Sequence, residues 1–173
     1  MNKELRANII RVLVFILLQV FLLKDVQIVM GSVQYLYIIL YPLAIVMLPL
    51  NMPHFFLLLS AFGMGFMVDL FYGSIGVHAS ASLWLAAARP IILKYLEPKS
   101  GYSAGLIISG GSLGIFWFLQ YVSFSLLVFF FSYFCMEMFS FVYLDTIVLK
   151  TIISLFVSGL IIFLIQIIWN PKY

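Results

Sequence analysis

The sequence predicts an all-α polytopic membrane protein, a compact bundle of about six transmembrane helices, and three observations carry that prediction. Of 173 residues, 65% are hydrophobic and only 9% are charged, whereas a soluble domain is about 45–50% apolar and about 25% charged. Mean hydropathy is +1.21. Several uncharged runs are long enough to cross about 30 Å of hydrocarbon, at about 20 residues per helix. Together these exclude a soluble enzyme, a secreted disulfide scaffold and a disordered linker. Six helices leave only short loops, so the whole chain is expected to form one integral membrane domain.

The expected spans follow in chain order. The first, residues 8–23, lies between Arg11 and the Lys24-Asp25 pair. Lys3, Arg6 and Arg11 ahead of an apolar run resemble a signal peptide, but no small-residue cleavage site follows, so the segment is expected to be a retained helix. The second, 33–50, gathers Tyr35, Tyr37 and Tyr41 near its start as interfacial anchors, and Pro42 is expected to kink it. Pro49 and Pro53 then force a tight turn. The third and fourth spans are 54–70 and 75–96, the latter ending in Glu97-Pro98-Lys99. The charge-free stretch from Ser100 to Met136 exceeds one ordinary helix. It divides into a fifth span, 102–121, and an aromatic segment, 122–134, that is an extra span, a re-entrant piece or an interfacial helix. Gly101/Gly105 and Gly110/Gly114 suggest tight packing of the fifth helix. The last span, 146–169, follows a polar gap bracketed by Glu137 and Asp145.

Charge orients the bundle. Lys3, Arg6, Arg11, Arg89, Lys94, Lys99 and Lys172 fall on one side and Lys24 and Lys150 on the other. The positive-inside rule therefore puts the N-terminus in the cytoplasm. The net charge of +3 is too dispersed for a nucleic-acid surface, and the one cysteine, Cys135, excludes an internal disulfide and reads as a small packed or lipid-facing hydrophobe.

Intramembrane charge is expensive and marks function by default, which makes Asp69 the first candidate. Gly65, Asp69 and Gly73 recur every four residues, and Gly76 follows. On one helical face, such small residues let a second helix approach closely. The competing reading is that Asp69 caps the next helix. His78 is expected to be a hydrogen-bonded structural histidine and His54 an interfacial one. Arg89 is expected to snorkel to lipid phosphate, or to pair with a partner's acidic residue. No facing aspartate pair, no Gly-x-Gly-Asp, no Gly-x-Ser-Gly, no nucleotide loop and no His-Glu-x-x-His occurs, so no catalytic, metal or cofactor residue is assigned.

The stretch Gly63-Met-Gly65-Phe-Met-Val-Asp69-Leu-Phe-Tyr-Gly73-Ser-Ile-Gly76-Val-His-Ala-Ser80 resembles the hallmark segment of the bacterial rod-shape-determining MreD family. That family has a glycine, a short apolar gap, an aspartate, further apolar residues and then paired glycines opening the next helix. The resemblance covers about eighteen residues; elsewhere the likeness is one of size, basic start and hydropathy profile. It implies a non-enzymatic component of the bacterial inner membrane, in the cell-elongation machinery that directs peptidoglycan synthesis. Its implied partner is the single-span MreC, with indirect links to the MreB cytoskeleton and to RodA with its transpeptidase. The implied fold is similar to the six-helix substrate-binding subunits of energy-coupling-factor transporters. Gly65, Asp69, Gly73 and Gly76 are the motif positions, expected to shape a turn and a partner surface. The other reading of the chain is a small-molecule, vitamin-type transport subunit. It requires a hydrophilic cavity among Asp69, Tyr72, Glu137 and Asp145, whereas a closed bundle with a small-residue groove fits a scaffold.

Overall fold

In the computed structural model, residues 3–24, 26–30, 33–74, 76–99, 101–102, 108 and 110–168 are described. Helix α1 (Lys3–Leu18) runs on into a π-helical turn at Gln19–Leu23. A two-stranded antiparallel hairpin follows, β1 (Gln27–Met30) and β2 (Val33–Tyr37), with Gln27 opposite Tyr37 and Met30 opposite Val33. A short helix α2 (Pro42–Val46) leads to the proline turn. The longer helices α3 (His54–Tyr72), α4 (Val77–Tyr95), α6 (Ile115–Met138) and α7 (Leu144–Ile168) make up the body, with a single turn α5 (Gly110–Leu113) ahead of α6. Helix α4 packs between α3 and α6, and α6 between α4 and α7. Three helices, α3, α6 and α7 up to Gln166, are long and apolar enough to cross a membrane. Their outward faces carry Phe55, Phe62, Phe66, Ile152, Phe156 and Leu160, all exposed, as a lipid-facing surface requires.

Several expectations are corrected. The second predicted span, 33–50, is not a helix. It is strand β2, an extended stretch and the five residues of α2. Pro42 does not kink a helix; it begins one, because its fixed φ and missing N–H suit the first helical position and disfavour helix before it. Nor does the chain divide at residue 121: residues 115–138 form one helix, which merges the end of the fifth span with the aromatic segment. The Gly110/Gly114 pair is not a helix face either. Gly114 has φ +90° and separates α5 from α6. The Gly101/Gly105 spacing falls on a range in which residues 103–107 lie outside those described.

The segment from Tyr37 to Val46 nevertheless travels deep into the bundle. Tyr37 Oη donates to Glu137 Oε1 at 2.7 Å near the end of α6, while Val46 accepts from Tyr121 Oη at 3.1 Å. Positions 121 and 137 of α6 are about 24 Å apart along a helix rising 1.5 Å per residue, against about 30 Å of hydrocarbon. Backbone without helix or sheet partners is tolerated at such depth only when protein groups satisfy it. Here they do. Tyr37 N and Ile39 N donate to Ser154 Oγ and Ser158 Oγ, one turn apart on α7. Leu40 N donates to Gln19 Oε1 at 2.8 Å, and Gln19 Nε2 donates to Ile38 O at 3.0 Å and Tyr72 Oη at 2.7 Å.

Gln19 is fully buried at the first position of the π-turn, so the local change of helical pitch coincides with the residue that holds this strap. Replacing Gln19 by leucine keeps the volume near but strands the Leu40 N–H and the Ile38 carbonyl, while Tyr72 Oη keeps its bond to the backbone carbonyl of residue 19. At about 1–3 kcal/mol per orphaned group, with partial relaxation, a loss of about 2–4 kcal/mol is expected. Thermal unfolding in detergent measures it.

Candidate functional site

The α3–α4 corner builds the site from the sequence upward. Helix α3 ends because Gly73 adopts φ +69° and donates its N–H to Asp69 O, a left-handed C-terminal cap. Gly76, at φ +91°, takes the N-cap position of α4. A glycine there has no side chain to accept the orphan N–H groups of the first turn. Asp69 supplies the missing acceptor from the preceding helix. Its Oδ2 accepts from Gly76 N at 3.1 Å and Ala79 N at 2.9 Å, and its Oδ1 accepts from His78 N at 3.0 Å. Ser74 Oγ and His78 Nδ1 donate to the same Oδ1 at 3.1 and 3.0 Å. The carboxylate, 1% exposed, thus meets the positive end of α4 with all its acceptor sites engaged, the arrangement in which a buried negative charge is best tolerated.

Gly65, one turn before Asp69, permits the close crossing. A Cβ there would stand 2.6 Å from His78 O, 2.7 Å from Ala79 Cα and 2.7 Å from Ser82 Oγ. Of the four motif residues, Gly65 and Asp69 therefore face α4 of their own chain. Gly73 and Gly76 set the turn between the two helices. The expected small-residue face for a partner is occupied by α4, so the corner is an internal joint.

His78 and Asp69, nine residues apart in sequence, come together, as the structural reading of His78 requires. The imidazole is fully buried and stands among the rings of Tyr72, Tyr133 and Tyr41, at centroid distances of 4.8, 4.9 and 6.0 Å. With Nδ1–H directed at Asp69, its Nε2 has no hydrogen-bond partner among the described residues. Tyr41 Oη is held by Ser82 Oγ at 2.9 Å and donates to His78 O at 3.3 Å.

Tyr133 continues the aromatic cluster to Tyr37, and Tyr37 to Glu137. Lys150 Nζ lies 3.4 Å from Glu137 Oε2 and 5.5 and 5.6 Å from the rings of Tyr37 and Phe134. Lys150 is therefore a buried cation held by a carboxylate and two π faces. Asp145 is exposed. Of the polar residues considered for a solute cavity, Asp69, Tyr72 and Glu137 are tied to side chains and backbone. Among the described residues, no three His, Cys, Asp or Glu side chains gather as a metal site would need.

Arg89 departs from both of its expectations. It neither snorkels nor awaits a partner's acid: it is 2% exposed and donates Nε–H to Tyr121 Oη at 3.0 Å. Its terminal nitrogens donate to Leu48 O and Pro49 O. The guanidinium thus closes the carbonyl end of the broken segment as Gln19 closes its middle. Sequence reasoning missed Gln19, Arg89, Ser154 and Ser158 in these roles. Their available signal was polarity on otherwise apolar helices, with the serines four residues apart. His54 begins α3 and is exposed, in keeping with an interfacial position.

No protein-family model, curated protein or solved structure matches this chain.

Proposed function

We propose that the protein is a non-enzymatic scaffold of the bacterial inner membrane, serving the cell-elongation machinery. In this role it binds an MreC-like single-span protein, and through it connects the MreB cytoskeleton with RodA and its transpeptidase. The observation that carries the reading is the saturation of Asp69: the one motif residue with chemical potential is engaged five times over by its own chain. A motif whose aspartate fixes a helix joint serves shape, and shape is what a scaffold offers.

On this reading the chain crosses the membrane six times, by α1, the broken segment 33–50, α3, α4, α6 and α7, with its N-terminus cytoplasmic. The hairpin end, carrying Lys24 and Lys150, then faces away from the cytoplasm. The six-crossing plan is the one expected of the energy-coupling-factor substrate-binding subunits, so the vitamin-type transport reading remains the competitor. One observation favours it: Nε2 of His78 has no hydrogen-bond partner among the described residues. Against it, three tyrosine rings pack against the imidazole.

Affinity purification of the tagged protein in a gentle detergent tests the proposal. The expected result is co-purification of an MreC-like single-span protein. A tightly held metabolite without such a partner supports transport instead, and turnover of a substrate by the isolated chain overturns the scaffold.

A further inference from the structure

The π-turn that continues α1 is tied to the end of α3 by the bond from Gln19 Nε2 to Tyr72 Oη. Nearer the proline turn, α1 and α3 enclose an open groove of about 640 Å³. Val12 and Ile16 line it from α1, and Ser60, Gly63, Met64 and Met67 from α3. These positions recur at intervals of three and four, so each helix turns one continuous face to the groove. Ser60 to Met67 spans about 10 Å, two turns of helix.

The lining decides what fits there. No lining residue carries a charge of either sign, so a charged group inside would stand unpaired at intramembrane depth. Gly63 is exposed, and a Cβ on it would meet nothing within 4 Å. Gly65 has its space taken by α4; Gly63 leaves its own open, and an open glycine beside a serine lets a second helix backbone approach closely. Ser60 Oγ, about 9 Å along α3 from His54, has no hydrogen-bond partner among the described residues. A hydroxyl facing hydrocarbon without a partner is unfavourable. An acyl chain fills apolar space but offers that hydroxyl no acceptor, whereas a crossing helix brings backbone carbonyls and polar side chains within reach. Met52, Met64 and Met67 supply flexible walls that adjust to the side chains of an incoming helix.

We propose that this groove seats the membrane-spanning helix of the single-span partner, an inference that rests on the scaffold reading. The helix it fits is uncharged over about two turns. Its apolar residues, at every third or fourth position, meet Val12, Ile16 and the methionines, and a small or hydroxyl-bearing residue lies against Ser60 and Gly63.

Disulfide crosslinking in native membranes tests the proposal, with the full-length chain and the MreC-like protein produced together. Gly63→Cys and Met67→Cys, each in a Cys135→Ser background, are paired with single cysteines stepped along the partner's span. Disulfides are expected from both, recurring at every third or fourth partner position. Phe62→Cys, on the exposed outer face of α3, is expected to give none. Gly63→Leu fills the groove; it is expected to fold as the wild type does by circular dichroism and to lower recovery of the partner about ten-fold. Recovery of the partner by the wild type with no disulfide from either groove position, or recovery unchanged in Gly63→Leu, overturns the groove and leaves the scaffold reading standing. Groove disulfides between two copies of this chain, in place of those to the partner, do the same. Failure of the wild type to recover the partner overturns both.

Discussion

Asp69→Ala is expected to lower the stability of the purified protein by about 3–5 kcal/mol, the range for breaking a buried charged network by removing one partner. That is a large fraction of a total of about 5–15 kcal/mol. The substitution leaves three backbone N–H groups, the Ser74 hydroxyl and the His78 Nδ1–H without their acceptor. Each orphaned buried donor costs about 1–3 kcal/mol, and the sum is tempered because water enters part of the vacated space. Asp69→Asn is not a mild substitute. Each carboxylate oxygen accepts from at least one backbone N–H, so the amide nitrogen must face a donor whichever way it turns, and a loss of about 2–4 kcal/mol is expected. Denaturant or thermal unfolding in detergent reads both. An Asp69→Asn protein as stable as wild type contradicts the cap.

The second large effect lies one turn away and carries its own control. Gly65→Ala places a methyl within 2.7 Å of the α4 backbone at His78 and Ala79. Backbone atoms cannot rotate aside as the Ser82 hydroxyl can, so α4 must move bodily. Overpacking of this kind costs about 1–3 kcal/mol for a side chain that is poorly accommodated. The expected loss is at the top of that range, because the displaced His78 carries two of the bonds to Asp69. Gly65→Leu is expected to prevent folding. Gly63→Ala, two residues earlier, meets nothing within 4 Å. It is expected to be neutral or to stabilise by up to about 1 kcal/mol, the helix-propensity difference between the two residues. Opposite signs at neighbouring glycines, measured by thermal unfolding, distinguish a crossing contact from a general effect of glycine.

The sequence made the helices legible where a single long apolar run ends at strong punctuation. Predicted 54–70 became His54–Tyr72, opened by Pro53 and closed by Gly73. Predicted 75–96 became Val77–Tyr95, and 146–169 became Leu144–Ile168. Where composition alone decided, it failed in both directions. Residues 33–50 are hydrophobic enough for a span, yet Val33, Tyr35 and Tyr37 are β-branched or aromatic residues at period two. They follow Gly31-Ser32, a two-residue hairpin signal, and Pro42 bars helix upstream. Residues 115–138 lack any breaker, and the division at 121 had only expected length behind it; Gly114, with its positive φ, is the real boundary.

The site was half legible. A carboxylate amid glycines marked the corner, and the capping reading of Asp69 was available from the sequence because caps are what aspartates do beside helix starts. Its pairing with His78 was not, because residues nine apart meet only through the turn that Gly73 and Gly76 create. Gln19, Ser154 and Ser158 serve a segment that sequence reasoning had taken as a helix with no free backbone to satisfy. Their roles became visible only once residues 37–40 were extended.

The Asp69 carboxylate is a structural acceptor for the first turn of α4. Amide hydrogen exchange at Gly76, His78 and Ala79 tests it most directly, since amides at a helix start have no acceptor within the helix. Slow exchange at these three positions in the wild type is predicted, with protection lost in Asp69→Asn while the middle of α6 stays protected. Unchanged protection of the three amides in that variant would contradict the claim.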